Sequence, residues 1–136
     1  QTLRRIGVAS VMDRQLETLP HSCSHEQAEA ALANVPRWIV IREGSTPVSL
    51  MPAADLARYL HEKGPADETP VSLLEIPATR MEFSGIDFQS TLQQALDELN
   101  ATGKEVLYIT RHTAPGIRRI HGVLTREAID QSYRLR

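Results

Sequence analysis

The 136-residue sequence predicts an α+β, sandwich-like fold in which one β-α-β-β-α unit occurs twice. A joint where an apolar strand runs directly into a helix appears at 48–60 (VSLMPAADLARYL) and again at 117–133 (IRRIHGVLTREAIDQSY). The stretch GPADETP at 64–70 contains two prolines and a glycine, which is typical of a linker. We therefore predict a first unit with a lead-in segment at 1–63, the linker at 64–70, and a second unit at 71–136.

The first half begins with a short extended piece and a helix. Ser24 is a preferred N-cap residue, and apolar residues follow at the i, i+3, i+4, i+7 spacing of a helix face. The run WIVI at 38–41 is continuously apolar and is bounded by breakers, which indicates a strand buried on both faces. Pro52 suits the first turn of the next helix. The predicted elements are an extended piece at 16–19, a helix at 25–35, strands at 37–42 and 48–51, and a helix from 52 to 63.

The second half repeats this order. Ser90 is the expected N-cap of a helix with the same apolar spacing, and Gly103 is expected to end it, as a C′ glycine does. Gly122 is placed where the backbone comes close to another segment, and Thr125 stands at the N-cap position of the last helix. The predicted elements are extended pieces at 71–76 and 83–88, the capped helix, strands at 106–109 and 117–124, a turn at 112–116, and a helix at 125–133.

Composition limits the possible functions. The formal net charge is −2, so the chain as a whole lacks the basic footprint of a nucleic-acid-binding protein. No apolar run approaches the roughly 20 residues that a membrane-spanning helix needs. The single cysteine, Cys23, excludes an internal disulfide and fits a reducing compartment. We expect no nucleic-acid partner, no direct membrane insertion by this chain, and a cytoplasmic location.

The duplicated unit, its element order and the joint GVLTREAI at 122–129 resemble a tandem cystathionine-β-synthase (CBS) domain pair, also called a Bateman module. The lead-in GVASVMD at 7–13 is similar to the segment that precedes the first unit of such pairs. The resemblance implies two units packed with pseudo-twofold symmetry and a non-catalytic regulatory role. It also implies clefts for AMP, ADP or ATP, and a homodimer formed through the helices at 53–62 and 125–134.

The closing GVLTREAIDQSYR at 122–134 is also similar to the C-terminal CBS pairs of bacterial ClC-type chloride channels and transporters. This narrower resemblance implies that the chain is a piece of a longer protein. Its partner would be a membrane transporter domain in cis, and its location the inner face of the cell membrane.

In the family, the threonine of the joint reaches a phosphate and an aspartate three residues later reaches the ribose hydroxyls. The first joint of this chain keeps Asp55 but has Pro52 in place of the threonine. The second keeps Thr125 but has Ala128 in place of the aspartate. Proline offers neither a hydroxyl nor an N–H, and alanine cannot accept from a ribose diol, so we expect adenine-nucleotide binding to be weak at most.

The candidate ligand-binding residues are Thr125, Arg126, Asp55, Arg118 and Arg119. The structural alternatives stay open at this point. Thr125 is a helix cap if it holds no ligand, and Asp55 is a first-turn carboxylate favoured by the helix dipole. The arginines are a solvated basic edge if they hold no phosphate.

Metal and catalytic sites have little support. His21, Cys23 and His25 form an H-x-C-x-H pattern that resembles zinc ligands, but only three ligands lie close together, and we predict no metal site. The sequence contains no P-loop, nucleophile elbow, zincin or dinucleotide-binding motif, and we predict that the protein is not an enzyme. The alternative to a ligand-binding module is a ligand-free dimerisation or interaction module of a larger protein.

Overall fold

The computed structural model describes residues 2–64 and 68–134 of the chain. The chain divides into two compact units, which we call the inner unit (Gln15–Met81) and the split unit (Gln1–Arg14 with Glu82–Arg136). This division differs from the predicted boundaries, because the lead-in segment groups with the second half and residues 71–81 group with the first. Residues 65–67 of the predicted linker lie outside the described residues.

The inner unit contains a three-stranded sheet in the order β1-β3-β4, in which β1 is parallel and β4 is antiparallel to β3. The strands β2 and β5 form a separate, two-stranded antiparallel sheet. Its elements are β1 (Leu16–Pro20), β2 (Ser22–Cys23), α1 (His25–Leu32), β3 (Trp38–Glu43), β4 (Thr46–Pro52), α2 (Ala53–Lys63) and β5 (Val71–Ser72).

The split unit repeats the same topology, with the sheet order β6-β7-β8, a parallel β6-β7 pair and an antiparallel β7-β8 pair. Two short 3-10 turns, Thr2–Arg4 and Val8–Ser10, precede it. Its other elements are β6 (Phe83–Asp87), α3 (Leu92–Thr102), β7 (Val106–Ala114), β8 (Ile117–Thr125) and α4 (Arg126–Arg134). The predicted α+β class is confirmed.

Helices α1 and α3 each begin with a side-chain cap, and one of the two predicted cap residues was wrong. Ser24 caps α1, as predicted, and Gln27 completes a capping box with it. The cap of α3 is Thr91 rather than the predicted Ser90. Both residues have a glutamine three positions later, and the Thr91 hydroxyl oxygen is the one that accepts the cap bond, from the Gln94 N–H at 3.2 Å. The register that starts at Thr91 then buries one face of α3 completely.

Three element boundaries also differ from the prediction. Helix α1 ends at Leu32 instead of residue 35. Only Val71–Ser72 of the predicted 71–76 strand is extended, and the hydrogen bonds that follow form a turn. The β7-β8 hairpin is longer than predicted, because β7 runs to Ala114 and the chain reverses within Pro115 and Gly116. The predicted 112–116 turn is therefore strand at its start.

In each unit, the last strand of the sheet also pairs with a short segment from elsewhere in the chain. In the split unit, Asp13 and Val123 exchange two backbone hydrogen bonds of 2.8 and 2.9 Å. In the inner unit, Met81 and Leu50 do the same at 2.8 and 3.0 Å. Val123 and Leu50 each lie two residues before the strand-to-helix joint. The segment that precedes β1 in sequence thus pairs with β8, and the segment that precedes β6 pairs with β4, which explains the division of the chain.

Each unit has its own hydrophobic core between its sheet and its helices. The central strands are buried on both faces, since Ile39, Val40 and Ile41 in β3 are fully buried, as predicted for WIVI. The largest fully buried side chains include Met51, Leu56 and Leu73 in the inner unit and Leu92, Leu99, Leu107, Leu124 and Ile129 in the split unit. Among the described residues, none of the helices is long and apolar enough to cross a bilayer.

Candidate ligand site at the strand-to-helix joints

In the inner unit the joint runs from β4 through Pro52 into α2. Pro52 occupies the N-cap position with extended backbone angles (φ −64°, ψ 136°), and no side chain caps this helix. The first turn of α2 therefore presents backbone N–H groups without a cap hydroxyl. Asp55 lies in that first turn and is buried. This is the residue that the resemblance assigns to ribose.

Both carboxylate oxygens of Asp55 already accept hydrogen bonds within the inner unit. Oδ2 accepts from the backbone N–H of Thr79 at 2.8 Å, and Oδ1 accepts from Arg58 at 2.9 Å. The hydrogen bond from Thr79 lowers the pKa of Asp55 most; burial opposes it, and Arg58 and Arg80 lower it further. An ionised Asp55 therefore fixes the 71–81 segment against α2. A ribose would have to compete with these partners.

The sequence did not indicate that Thr79 contacts Asp55 or that Arg80 holds the loop carrying Thr79. One Arg80 side-chain nitrogen donates to the carbonyl oxygens of Leu73 at 3.0 Å and Ile76 at 2.7 Å, which closes the loop that carries Thr79. The contact between Thr79 and Asp55 spans 24 residues. Because the donor at Thr79 is a peptide N–H, no residue type at that position could have revealed it.

In the split unit the joint runs from β8 through Thr125 into α4. The Thr125 hydroxyl oxygen accepts from the Ala128 N–H at 3.1 Å, which is an N-cap bond. The side chain is partly exposed. Thr125 is therefore a helix cap in this structure, and a hydroxyl that accepts from the backbone still has its own proton free to donate to an anion.

Arg126 is tied to the end of α3 and the loop after it. Its guanidinium lies 3.1 Å from a Glu105 carboxylate oxygen, donates to the Asn100 side-chain oxygen at 3.0 Å, and donates to the Lys104 carbonyl at 3.3 Å. These three contacts use the planar fork of the guanidinium and leave it about one-quarter exposed (27%). Arg126 thus anchors the start of α4, and a phosphate would have to displace these partners.

Arg118 and Arg119 lie at the opposite end of β8 from Thr125. Six residues of strand separate Arg119 from Thr125, which corresponds to roughly 20 Å at the usual rise per residue. Arg118 donates instead to His112 across the hairpin at 3.0 Å. The structure therefore keeps these two arginines away from the Thr125 joint, although the sequence had offered them as phosphate ligands for it.

The H-x-C-x-H residues do not converge. His25 is buried and lies 3.3 Å from Glu29, Cys23 is buried, and His21 is exposed. Burial raises the pKa of the Cys23 thiol, so it stays protonated and unreactive at neutral pH. Among residues 2–64 and 68–134, no group of three His, Cys, Asp or Glu side chains is placed to hold a metal ion.

Comparison by sequence finds no relatives: no protein-family model matches the chain, and no curated protein sequence matches it. Comparison by structure finds 154 similar chains. A CBS domain-containing protein of unknown function from Kribbella flavida has a TM-score of 0.60 and 12% identity, with 94% of this chain and 99% of that chain covered.

Two similar structures contain adenine nucleotides. A CBS-domain pair from Klebsiella pneumoniae with bound AMP has a TM-score of 0.54 and 16% identity, over 94% of this chain and 98% of that chain. The CBS domain of a bacterial CNNM/CorC family Mg²⁺ transporter in complex with ATP has a TM-score of 0.54 and 14% identity, over 95% and 87%. The chain therefore has the fold of CBS-domain proteins.

Proposed function

We propose that this chain is a non-catalytic regulatory module of the CBS type that acts in cis on a membrane transporter from the cytoplasmic side. The observation that carries the proposal is the duplicated β-α-β-β-α fold, which CBS-domain structures match over nearly its whole length. The CNNM/CorC structure is named as the CBS domain of a transporter, which supports a transporter as the class of parent protein.

The regulation would work by linkage. A ligand or partner that binds one conformation of the module more tightly than another shifts the equilibrium between them, and a covalently attached transporter domain responds to that shift. The differential affinity of the ligand sets the upper limit of the effect. Such a mechanism needs no catalytic group.

Adenine nucleotide is the proposed ligand class, and we expect its binding to be weak. Pro52 provides no hydroxyl, both Asp55 oxygens are engaged within the inner unit, and the Arg126 guanidinium holds Glu105 and Asn100. A site that lacks a charged hydrogen-bond partner loses on the order of 1.5–3 kcal/mol, or at least about tenfold in affinity.

Titration calorimetry of the 136-residue chain with AMP, ADP and ATP tests this proposal. We expect binding weaker than micromolar for all three nucleotides. Two variants complete the Thr-x-x-Asp pattern, Ala128→Asp in the split unit and Pro52→Thr in the inner unit. Ala128→Asp should tighten binding more, since it adds a carboxylate without the partners that occupy Asp55. Micromolar binding by the unmodified chain would contradict the weak-site proposal.

The finer proposal, attachment to a ClC-type chloride channel or transporter, is supported by GVLTREAIDQSYR alone. Flux measurements on the full-length parent in proteoliposomes test it. Chloride flux that changes when residues 1–136 are deleted would support the ClC-type parent. A parent that conducts no chloride would contradict it and leave the coarser transporter proposal standing.

A second candidate function is a ligand-free homodimerisation module. Three apolar residues of the helices expected at a dimer interface are not available, because Leu56, Leu60 and Ile129 are buried in the core of their own units. Tyr133 remains 57% exposed, and an open groove of about 630 Å³ lies between α1 and α2. Light scattering over a range of concentrations tests this candidate, and a strict monomer at high concentration would count against it.

A further inference from the structure

The β7-β8 hairpin carries a concentration of positive charge that its counterpart lacks. From Val106 to Thr125 the chain contains Arg111, Arg118 and Arg119, two histidines, and no acidic residue. The corresponding stretch of the inner unit, Trp38–Pro52, contains one arginine and one glutamate. The net charge of the whole protein is −2, so this hairpin is a local reversal of sign.

The end of the hairpin, residues 111–119, is exposed throughout; we call it the basic tip. Its turn is apolar, because Ala114, Pro115 and Ile117 surround Gly116. The Ile117 side chain is 51% exposed and is one of three large hydrophobic side chains exposed among the described residues. The basic tip therefore combines an apolar end with arginines directly behind it.

The strand register places two positive charges opposite each other. Arg111 pairs with Arg119, while His112 pairs with Arg118 and accepts a hydrogen bond from it. Like charges directly opposite on a sheet destabilise it, so the pairing is unfavourable for the isolated protein. Arg111 lies over the Phe88 ring at 4.5 Å and Arg118 donates to His112, but no carboxylate among the described residues forms an ion pair with Arg111, Arg118 or Arg119.

We propose that the basic tip is a docking surface for an anionic lipid membrane. Arginines near an anionic bilayer are each attracted by its surface potential, which corresponds to about fivefold in binding per residue. An exposed isoleucine at the turn enters the headgroup region and removes apolar area from water. A nucleic acid offers the same phosphates but gains nothing from Ile117, and this is why the geometry favours a lipid surface.

This inference does not depend on the nucleotide ligand or on the identity of the parent protein. It requires only that a bilayer comes within reach of the hairpin. The Thr125 joint lies roughly 20 Å along β8 from Arg119, and the Pro52 joint lies in the inner unit, so failure of one proposal leaves the other intact.

Flotation of the 136-residue chain with lipid vesicles tests the proposal. We expect binding to vesicles of equal parts phosphatidylcholine and phosphatidylserine, and none to phosphatidylcholine alone. Binding should fall steeply from about 0.1 M to about 1 M salt, where the Debye length shrinks from about 10 Å to about 3 Å. Equal binding to both vesicle types, or no binding to either, would overturn the proposal.

Variants assign the binding to the basic tip. Arg118→Gln with Arg119→Gln should weaken vesicle binding about 25-fold, at about fivefold per arginine. The control is Arg4→Gln with Arg5→Gln, which makes the same change in net charge at two other exposed residues and should leave most of the binding. Equal losses in both double variants would show attraction to charge in general and would overturn the assignment to the hairpin.

Ile117→Ser separates a membrane from other polyanions. It leaves every charge in place, so binding to a DNA duplex should be unchanged, while vesicle binding should fall several-fold. The substituted side chain is exposed, and this variant should therefore fold even if the double arginine variant does not. Vesicle binding that is insensitive to Ile117→Ser, with duplex binding as tight as vesicle binding, would assign the surface to nucleic acid instead.

Discussion

In the inner unit the strand-to-helix joint passes through Pro52, whereas in the split unit it passes through Thr125. The backbone takes the same course in both, from the last strand of a three-stranded sheet into a helix. Another matched pair lies three residues before each central strand, where Val35 (φ 51°) and Gly103 (φ 70°) both adopt the left-handed conformation. Thus one fold is obtained twice with residues of very different chemistry.

The two hairpins differ in another way. The β3-β4 hairpin has a near-neutral tip around Arg42 and Glu43, while the β7-β8 tip is basic. No feature of the shared fold requires this difference, because both hairpins reverse through two residues and both contain a bulge. The differences in capping and backbone conformation are expected to change the stability of the protein. The difference in charge at the hairpin tips is expected to change what the protein binds.

The largest loss in the free energy of unfolding is expected when a side chain is added at Gly122. A Cβ atom there would lie 2.5 Å from the Met12 sulphur and 3.0 Å from its Cβ, so the Met12 side chain would have to change conformation and its Cβ would have to shift by a few tenths of an ångström. We expect Gly122→Val to destabilise the protein by about 3 kcal/mol, the upper end for overpacking. Ser49 occupies the matching position of the inner unit, and Ser49→Ala should cost much less, since its hydroxyl makes only a 3.4 Å hydrogen bond.

Denaturant unfolding followed by circular dichroism measures both free energies of unfolding. A Gly122→Val protein as stable as the unmodified chain would mean that the Met12 side chain is not held against Gly122.

The next effect concerns Asp55, which has no counterpart in the split unit. Replacement by alanine leaves the Thr79 N–H without its partner, and we expect a loss on the order of 2 kcal/mol in the free energy of unfolding. The loss should depend on pH. Because the folded protein holds the pKa of Asp55 below its ordinary value of 3.8, the unfolded chain takes up the proton first on acidification.

The contribution of Asp55 is therefore complete above the unfolded pKa and disappears as pH falls through the folded pKa. The difference in stability between Asp55→Ala and the unmodified protein should be constant near neutral pH and should shrink below about pH 4. The control is Asp130→Ala, an exposed carboxylate in α4. A stability difference that stays the same down to pH 2 would contradict the role given to the ionised carboxylate.

A smaller effect is expected from the caps themselves. Thr125→Ala removes the hydrogen bond from the Ala128 N–H and should cost about 1 kcal/mol. Pro52→Ser supplies a cap hydroxyl in the inner unit but loses the restraint that proline places on the unfolded chain, so its net effect should be close to zero. Thermal unfolding of both variants measures these changes in stability. A large stabilisation by Pro52→Ser would show that the missing cap destabilises the inner unit.

The regular elements could be predicted because their signals are local. The apolar run WIVI, the caps at Ser24 and Thr125 and the glycine at 103 each determine structure within a few residues, and the structure contains each of them. Gly122 was expected to mark a close approach, and this prediction is confirmed by Met12. The choice of Thr91 over Ser90 could not be predicted, since both residues satisfy the capping-box pattern.

Contacts of the candidate site were harder to predict because they are long-range. Asp55 and Arg126 were selected as ligand residues from their positions in the joint, yet the Thr79 partner of Asp55 lies 24 residues away and the partners of Arg126 lie 21 or more residues away. Those partners are a peptide N–H at Thr79 and a carboxylate at Glu105, neither of which stands out in the sequence. A motif locates a residue in an element, but the neighbours that occupy its polar atoms depend on tertiary packing.

The smallest effect is expected when the residue types at positions 35 and 103 are exchanged, as Val35→Gly and Gly103→Val. A left-handed conformation costs an L-residue about 1–2 kcal/mol, whereas glycine adopts it freely but loses roughly 0.5–1 kcal/mol more conformational entropy on folding. Val35 is 80% exposed and packs against little, so Val35→Gly should stabilise the protein by roughly 0.5–1 kcal/mol. Gly103→Val should destabilise it by a similar amount, because a Cβ there meets nothing within 4 Å and only the backbone term changes. Urea unfolding with an unchanged m-value measures both; destabilisation by Val35→Gly would mean that the exposed valine makes a contact that offsets its strain.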